Sequence, residues 1–164
     1  MSQPFIQAVL EGERDKAAAI LDARIADHWP DEEDRWLLRL RSEQIQQQPD
    51  SALWLVRAIV RRADHRMLGH IGFHGPPDKG MLEIGYTILE EHRRMGFASE
   101  AVRGLFEWAH TRHGIERFRA SVAPDNYPSL ELIKKFGFVE VGVQWDERDG
   151  QELVFEASYP QPAG

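Results

Sequence analysis

Cysteine is absent from the 164 residues. That one absence excludes disulfides, thiolate metal sites and a cysteine nucleophile. No stretch approaches the roughly 18 apolar residues that a membrane-spanning helix needs. Met1 to Leu10 has no basic start leading into an apolar run, so no secretory leader is visible and a cytoplasmic location is expected. Positive charge is also scarce. Twenty Lys and Arg against 27 Asp and Glu leave a net charge of -7, too acidic for a large phosphate-backbone footprint, so neither nucleic acid nor a membrane is an expected partner. No His, Asp or Glu cluster has metal-ligand spacing, and no metal is expected. No internal repeat is present.

What is there fits one globular domain. The apolar share of 42% and charged share of 29% are ordinary for a folded chain, and the length suits a single domain over 1–164. Residues 1–50 read as a helical part and 51–159 as a strand-rich core. Glu11 to Ala26 favours helix by propensity. Trp29-Pro30 ends that region, and Asp31, Glu32, Glu33 and Asp34 suit the electropositive first turn of a second helix carrying Trp36, Leu37 and Leu40. Strands are expected at Trp54–Val60, Met67–Phe73 and Leu82–Ile88, the last two parted by the turn residues Gly75 to Gly80. Val102, Leu105, Phe106 and Ala109 recur at helical spacing within Gly96–Arg112, and Gly114 suits the C-terminal cap. A strand at Phe118–Val122 follows. A short helix over Tyr127–Phe136 is capped by Asp125 or Asn126 and stopped by Gly137. The final hairpin places Val139, Val141, Val143 and Trp145 on one face, turns at Asp149-Gly150 and returns through Leu153 and Phe155. The strand–helix–strand unit in the middle implies one parallel pair in an otherwise antiparallel sheet. Trp54, Trp108, Phe118 and Trp145 are expected in core or sheet-packing roles.

The chemically informative stretch runs from Glu83 to Ala101. A strand ends near Ile88, a short basic loop follows, and a helix begins near Gly96. A helix start offers unpaired N–H groups and partial positive charge to an anion. Gly96 and Ala98 let an anion approach the backbone, Ser99 can add a hydroxyl and Arg93 or Arg94 a charge. That combination suits a diphosphate.

Here the chain resembles the GNAT acetyltransferase superfamily. Its acetyl-CoA signature (Arg or Gln, two residues, Gly, one residue, Gly or Ala) matches Arg93-Arg94-Met95-Gly96-Phe97-Ala98. A second signature, an Asn shortly before a helix ending in Gly-Phe, matches Asn126-Tyr127-Pro128-Ser129 through Gly137-Phe138. The look is closest to the ribosomal-protein-alanine N-acetyltransferase branch. The resemblance covers roughly 51–158 and implies the acyl-CoA N-acyltransferase fold: α+β, with a mixed, mostly antiparallel sheet of six to seven strands flanked by about four helices. It further implies acetyl-CoA as co-substrate and direct attack by an amine without an acetyl-enzyme. The diphosphate would rest on the amides from Arg94 to Ser99, with Arg93, Met95 and Phe97 in the same loop. Tyr86 to Ile88 would pair with the pantetheine arm, which Asn126 would also touch. The parallel strands are expected to splay there.

The resemblance assigns Glu83 as first candidate for the base, directly or through water, with His70 and His74 behind it. An N–H near Ile88 would serve the oxyanion. Many relatives carry a general-acid Tyr where this chain has Ile133, so Ser129 or Tyr127 is left to meet the departing sulfur. Relatives also begin with a strand, for which only Pro4 to Val9 is available. An acidic rim at Asp31 to Asp34 would favour a cationic acceptor; a plain helix start that complements the helix dipole is the better reading of those residues. Three readings stay open: an N-acetyltransferase for a small-molecule or peptide amine, as monomer or homodimer; a non-catalytic acyl-CoA-binding sensor or partner module; and a transferase of longer acyl groups.

Overall fold

A computed structural model describes residues 1–160. The helices are α1 (Gln3–Leu10), α2 (Arg14–Leu21), α3 (Glu32–Gln47), α4 (Phe97–His113) and α5 (Tyr127–Lys135). The strands are β1 (Arg57–Arg61), β2 (Arg66–Phe73), β3 (Met81–Ile88), β4 (Arg117–Val122), β5 (Val139–Asp146) and β6 (Gly150–Ser158). The six strands form a mixed sheet in the order β1-β2-β3-β4-β6-β5, with β3 and β4 parallel. Five helices with six strands give the α+β architecture expected. Backbone contacts group into two compact units interleaved in sequence: Met1–Gly72 with Tyr86–Met95, and Phe73–Gly85 with the chain from Gly96 onward.

The first unit holds α1 to α3, β1, most of β2 and the end of β3. The expected opening strand is a helix instead. Ser2 accepts a hydrogen bond from the Phe5 amide, Pro4 sits in the first turn, and Phe5, Ile6, Ala8 and Val9 are buried. Capping and an apolar face on one side of a turn outweigh the β-propensity of Phe, Ile and Val here. Trp29, Leu38, Leu55, Val56 and Met67 complete that core. Trp54 does not open a strand: a 3-10 turn over Pro49–Leu53 ends on it, and β1 begins at Arg57. Between Ile25 and Trp29 the chain is held by one side chain. The Arg14 guanidinium donates to the carbonyls of Ile25, Ala26, Asp27 and Trp29 at 3.3, 2.5, 2.6 and 3.2 Å.

β2 and β3 are neighbours in the sheet and run against each other, since the Leu89 N–H donates to the Leu68 carbonyl at 2.8 Å and the His74 N–H to the Glu83 carbonyl at 2.9 Å. Their approach is close enough to demand glycine. Gly69 has φ +152°, and a Cβ there would stand 2.0 Å from the Thr87 carbonyl oxygen.

The start of α3 ties the helices to the sheet. Asp31 and Asp34 form a reciprocal capping box, and the buried Asp34 carboxylate meets His70 Nε2 at 2.8 Å. So Asp31 and Asp34 are committed to structure rather than to an acidic rim, and the His70 ring is buried against an acid. Burial pushes the Asp34 carboxyl up, but His70 and the Asp31 amide outweigh it and hold it below the ordinary carboxylate range. A depressed acid adds stability that is present above the unfolded value near pH ~3.9 and lost as pH falls through the folded one. Asp34→Ala removes a cap and strands a buried histidine, so a loss of about 3 kcal/mol at pH 7 is expected. In urea titrations the gap between wild type and variant should narrow below pH ~4.

The second unit holds the start of β3, α4, β4, α5 and the β5–β6 hairpin. Phe106 of α4 stacks on Phe118 of β4 at 4.0 Å between ring centroids, and Phe73 lies 6.0 Å from Phe118. Leu82, Ile84, Val102, Ile133, Phe138 and Phe155 are buried with them. The hairpin face is a correction. Val139, Val141, Val143 and Trp145 are exposed, Trp145 at 77%, so Trp145 is not a core residue. β5 is an edge strand of the sheet, and a bulge between Glu140 and Gly142 breaks its alternation, so Val139 does not share a face with Val143 and Trp145.

Candidate active site

Some of the residues expected from sequence belong to the first unit and others to the second, and each unit holds a definite arrangement. In the first unit β3 ends at Ile88, and a 3-10 turn over Glu90–His92 leads into Arg93. The Arg93 side chain folds back, its Nε donating to the Ile88 carbonyl at 2.9 Å. Arg94 takes the left-handed conformation at φ 61°, unusual for a residue with a side chain. Arg93, Arg94 and Met95 are exposed. Tyr86 and Thr87 are half-buried and Ile88 is buried.

In the second unit α4 begins on Gly96, at φ 85° and ψ -6°, with no side chain capping it. Ser2, Asp31 and Asn126 cap α1, α3 and α5, whereas α2 and the longer α4 start without a side-chain cap. The first internal bond of α4 runs from the Glu100 N–H to the Gly96 carbonyl at 3.1 Å. Phe97, Ala98 and Ser99 therefore offer N–H groups without a helical acceptor, at the positive end of a 17-residue dipole. Nothing lies within 4 Å of where a Cβ on Gly96 would stand.

The expected base lies in a polar chain within the second unit. The parallel ladder of β3 and β4 is confined to Met81–Glu83 against Arg117–Arg119, although β4 continues to Val122. Just beyond the last pair, Ser121 donates to Glu83 Oε1 at 2.6 Å. Gln144 of β5 donates to Ser121 Oγ at 3.0 Å and to Glu152 of β6 at 2.8 Å. His74 Nδ1 lies 3.6 Å from Glu83 Oε1. Burial pushes the Glu152 carboxyl above its ordinary range against the Gln144 hydrogen bond, and Asp146, Asp149 and Glu83 add to the rise. Asp146 is held low, chiefly by the amides of Asp149 and Arg148.

Of the other expected residues, Asn126 Oδ1 accepts from the Ser129 amide at 3.3 Å, so both belong to the start of α5. Asn126 is exposed, Ser129 half-buried and Ile133 buried. Glu83 and His74 are brought together. Ser121, Gln144 and Glu152 were not anticipated. Only strand register across β4, β6 and β5 aligns them, a long-range property with no local signature. Among the described residues no group of His, Asp and Glu is arranged to hold a metal ion, and no helix is long and apolar enough to cross a membrane.

Comparison with known proteins agrees with this geometry. A family model for the acetyltransferase (GNAT) domain matches residues 13–139. The uncharacterized N-acetyltransferases YjdG and YoaA of Bacillus subtilis are 38% identical over 82 residues and 41% identical over 86. These matches cover 49% and 52% of this chain, and the chain spans about half the length of each relative, 49% in both cases. Among solved structures, the ribosomal-protein-S5-alanine acetyltransferase from Vibrio fischeri has a similar fold, with TM-score 0.67 and 15% identity, over 100% of this chain and 93% of that one. Microcin C7 self immunity acetyltransferase MccE, solved with acetyl-CoA and AMP, gives TM-score 0.64 and 13% identity, over 96% of this chain and 88% of the other. At such identities the likeness is one of fold. The family model carries the assignment: the chain belongs to the GNAT acetyltransferases.

Proposed function

We propose that this protein transfers acetyl from acetyl-CoA to a primary amine by direct attack in a ternary complex. The observation that carries the reading is the start of α4, where a left-handed glycine stands in the cap position with no side-chain cap and the amides of Ala98 and Ser99 follow it. A diphosphate supplies acceptors to amides at such a helix start. Arg93, Arg94 and Met95 immediately precede it in the chain and complete the binding loop in this proposal. Tyr86 and Ile88 offer strand backbone to the amides of the pantetheine arm, and Asn126 touches the same arm.

For the chemistry, the amine must lose a proton, the tetrahedral oxyanion needs a donor and the departing sulfur a hydrogen bond. Glu83 is the carboxylate that serves deprotonation, directly or through an intervening group. A backbone N–H near Ile88 serves the oxyanion. Ser129, in the first turn of α5, offers the hydroxyl for the sulfur, since Ile133 is buried and carries no acid.

The deciding experiment follows thiol release from acetyl-CoA over a panel of small amines, peptide N-termini and side-chain amines. Acceptor-dependent release is the expected result. Tight CoA binding without release for any acceptor would favour a sensor, the reading that Ile133 keeps open. Faster turnover with propionyl- or succinyl-CoA would reassign the donor.

A further inference from the structure

We propose that the first unit carries a second binding site, for a small monocarboxylic acid with an apolar body, in which Arg35 meets the carboxylate. The site is a cavity of about 180 Å³ whose lining residues come from α1, α2, the segment that follows them and the start of α3. All of them belong to that unit. None enters the acetyl-transfer chemistry, so the inference stands apart from that reading.

The local sequence accounts for the space. α2 buries only Ala17, whose side chain is a single methyl. The segment after it is fixed through its main chain, since the Arg14 guanidinium collects the carbonyls of Ile25, Ala26, Asp27 and Trp29. A loop held by its oxygens keeps its path without side chains filling every gap beside it. Val9, Ala17, Ile25, Trp29 and Pro30 supply the apolar walls. Val9, Ala17 and Trp29 are almost fully buried, so those walls are shielded from bulk water.

Two cations border the walls, and their states differ. Arg14 is committed to its four carbonyls and lies 3.7 Å from the Asp27 carboxylate. Arg35 is half-buried, and among the described residues its guanidinium has no hydrogen-bond or ion-pair partner. Its own helix offers acids at the spacings that usually engage an arginine, Asp31 four residues earlier and Glu32 three. Asp31 is taken by the capping box and Glu32 is exposed. Arg35 lines the cavity and pairs with neither.

A half-buried cation beside apolar walls is short of an anion. One guanidinium fork matches a carboxylate through two parallel N–H bonds. A phosphate dianion calls for further donors, which apolar walls do not supply. Size sets the rest of the ligand. A cavity of about 150 Å³ accommodates benzene, so about 180 Å³ takes a single ring, or roughly four or five carbons, with the carboxylate at the Arg35 side.

The test titrates benzoate and isovalerate into the whole chain, with benzamide and inorganic phosphate as controls. Readouts are Kd by calorimetry and melting temperature, for wild type, Arg35→Ala and Arg35→Lys. Both carboxylates should bind wild type saturably, and benzamide at least about 10-fold more weakly than benzoate, because it lacks the charge. Arg35→Ala should weaken benzoate by at least about 10-fold with little change in melting temperature, since the side chain has no partner to lose. Arg35→Lys should fall between, keeping the charge without the fork. No saturable binding of either carboxylate to wild type overturns the proposal. So does equal affinity for benzamide or phosphate, or benzoate binding that Arg35→Ala leaves unchanged, which would place the acid elsewhere on the chain.

Discussion

Gly96→Glu should abolish CoA binding, by at least about 100-fold, while the protein still folds. A Cβ at Gly96 meets no heavy atom within 4 Å, so packing does not resist the first carbon of a side chain there. The folded state loses only what a non-glycine residue costs at φ 85°, about 1–2 kcal/mol, or a few degrees of melting temperature at this size. Ligand binding is affected far more. The new carboxylate stands at the positive end of α4, occupying the donors that the diphosphate would use and repelling it. Like-charge opposition of that kind costs several kcal/mol, and each ~1.4 kcal/mol is tenfold in affinity. Gly96→Ala separates the causes, since it carries the conformational cost without the charge and should weaken binding only modestly. Calorimetry with CoA decides. Undiminished affinity in the Glu variant would mean that the diphosphate lies elsewhere.

The second large effect is expected from Glu83→Gln. The amide keeps the shape of the carboxylate and still accepts from Ser121, so stability should change by no more than about 1 kcal/mol. What is lost is the negative charge facing His74. Turnover at neutral pH should fall about 100-fold. The direction with pH follows from the substrate. At neutral pH the acceptor is an ammonium that must be deprotonated, whereas near pH 10 it deprotonates unaided. The ratio of wild type to variant should therefore shrink steadily as pH rises. A variant equal to wild type at every pH would remove Glu83 from the mechanism. A ratio constant with pH would assign it to binding rather than proton transfer.

Most of the architecture was legible where local chemistry decides it. Asp31 marks the start of α3 and Asn126 that of α5, because a short polar side chain satisfies the first amides. Gly96 and Gly114 bound α4 because both adopt positive φ. The opening helix was misread although its signals were present: Ser2 as cap, Pro4 in the first turn, and Phe5, Ile6 and Val9 on one side. An expectation borrowed from relatives displaced them. Trp145 failed for a different reason, since alternation is silent on whether a partner layer exists. In the candidate site, Arg93 to Ser99 could be named because they are contiguous. The pairing of His74 with Glu83 was within reach by counting outward from the turn at Gly75 to Gly80, a local register. Ser121 and Gln144 were not, because their alignment depends on three strands separated by a helix and a hairpin.

The grip of Arg14 on the segment from Ile25 to Trp29 has a consequence for how that segment tolerates change. A planar cation with five fixed donors collects four main-chain oxygens, and carbonyls are common to every amino acid. The clamp itself is thereby indifferent to side-chain identity; what still constrains the segment is the packing of Ile25 and Ala26 against the core and the Asp27 carboxylate 3.7 Å from the same guanidinium. Arginine itself has no such latitude. Lysine keeps the charge, but its three protons on one nitrogen cannot span the same four acceptors.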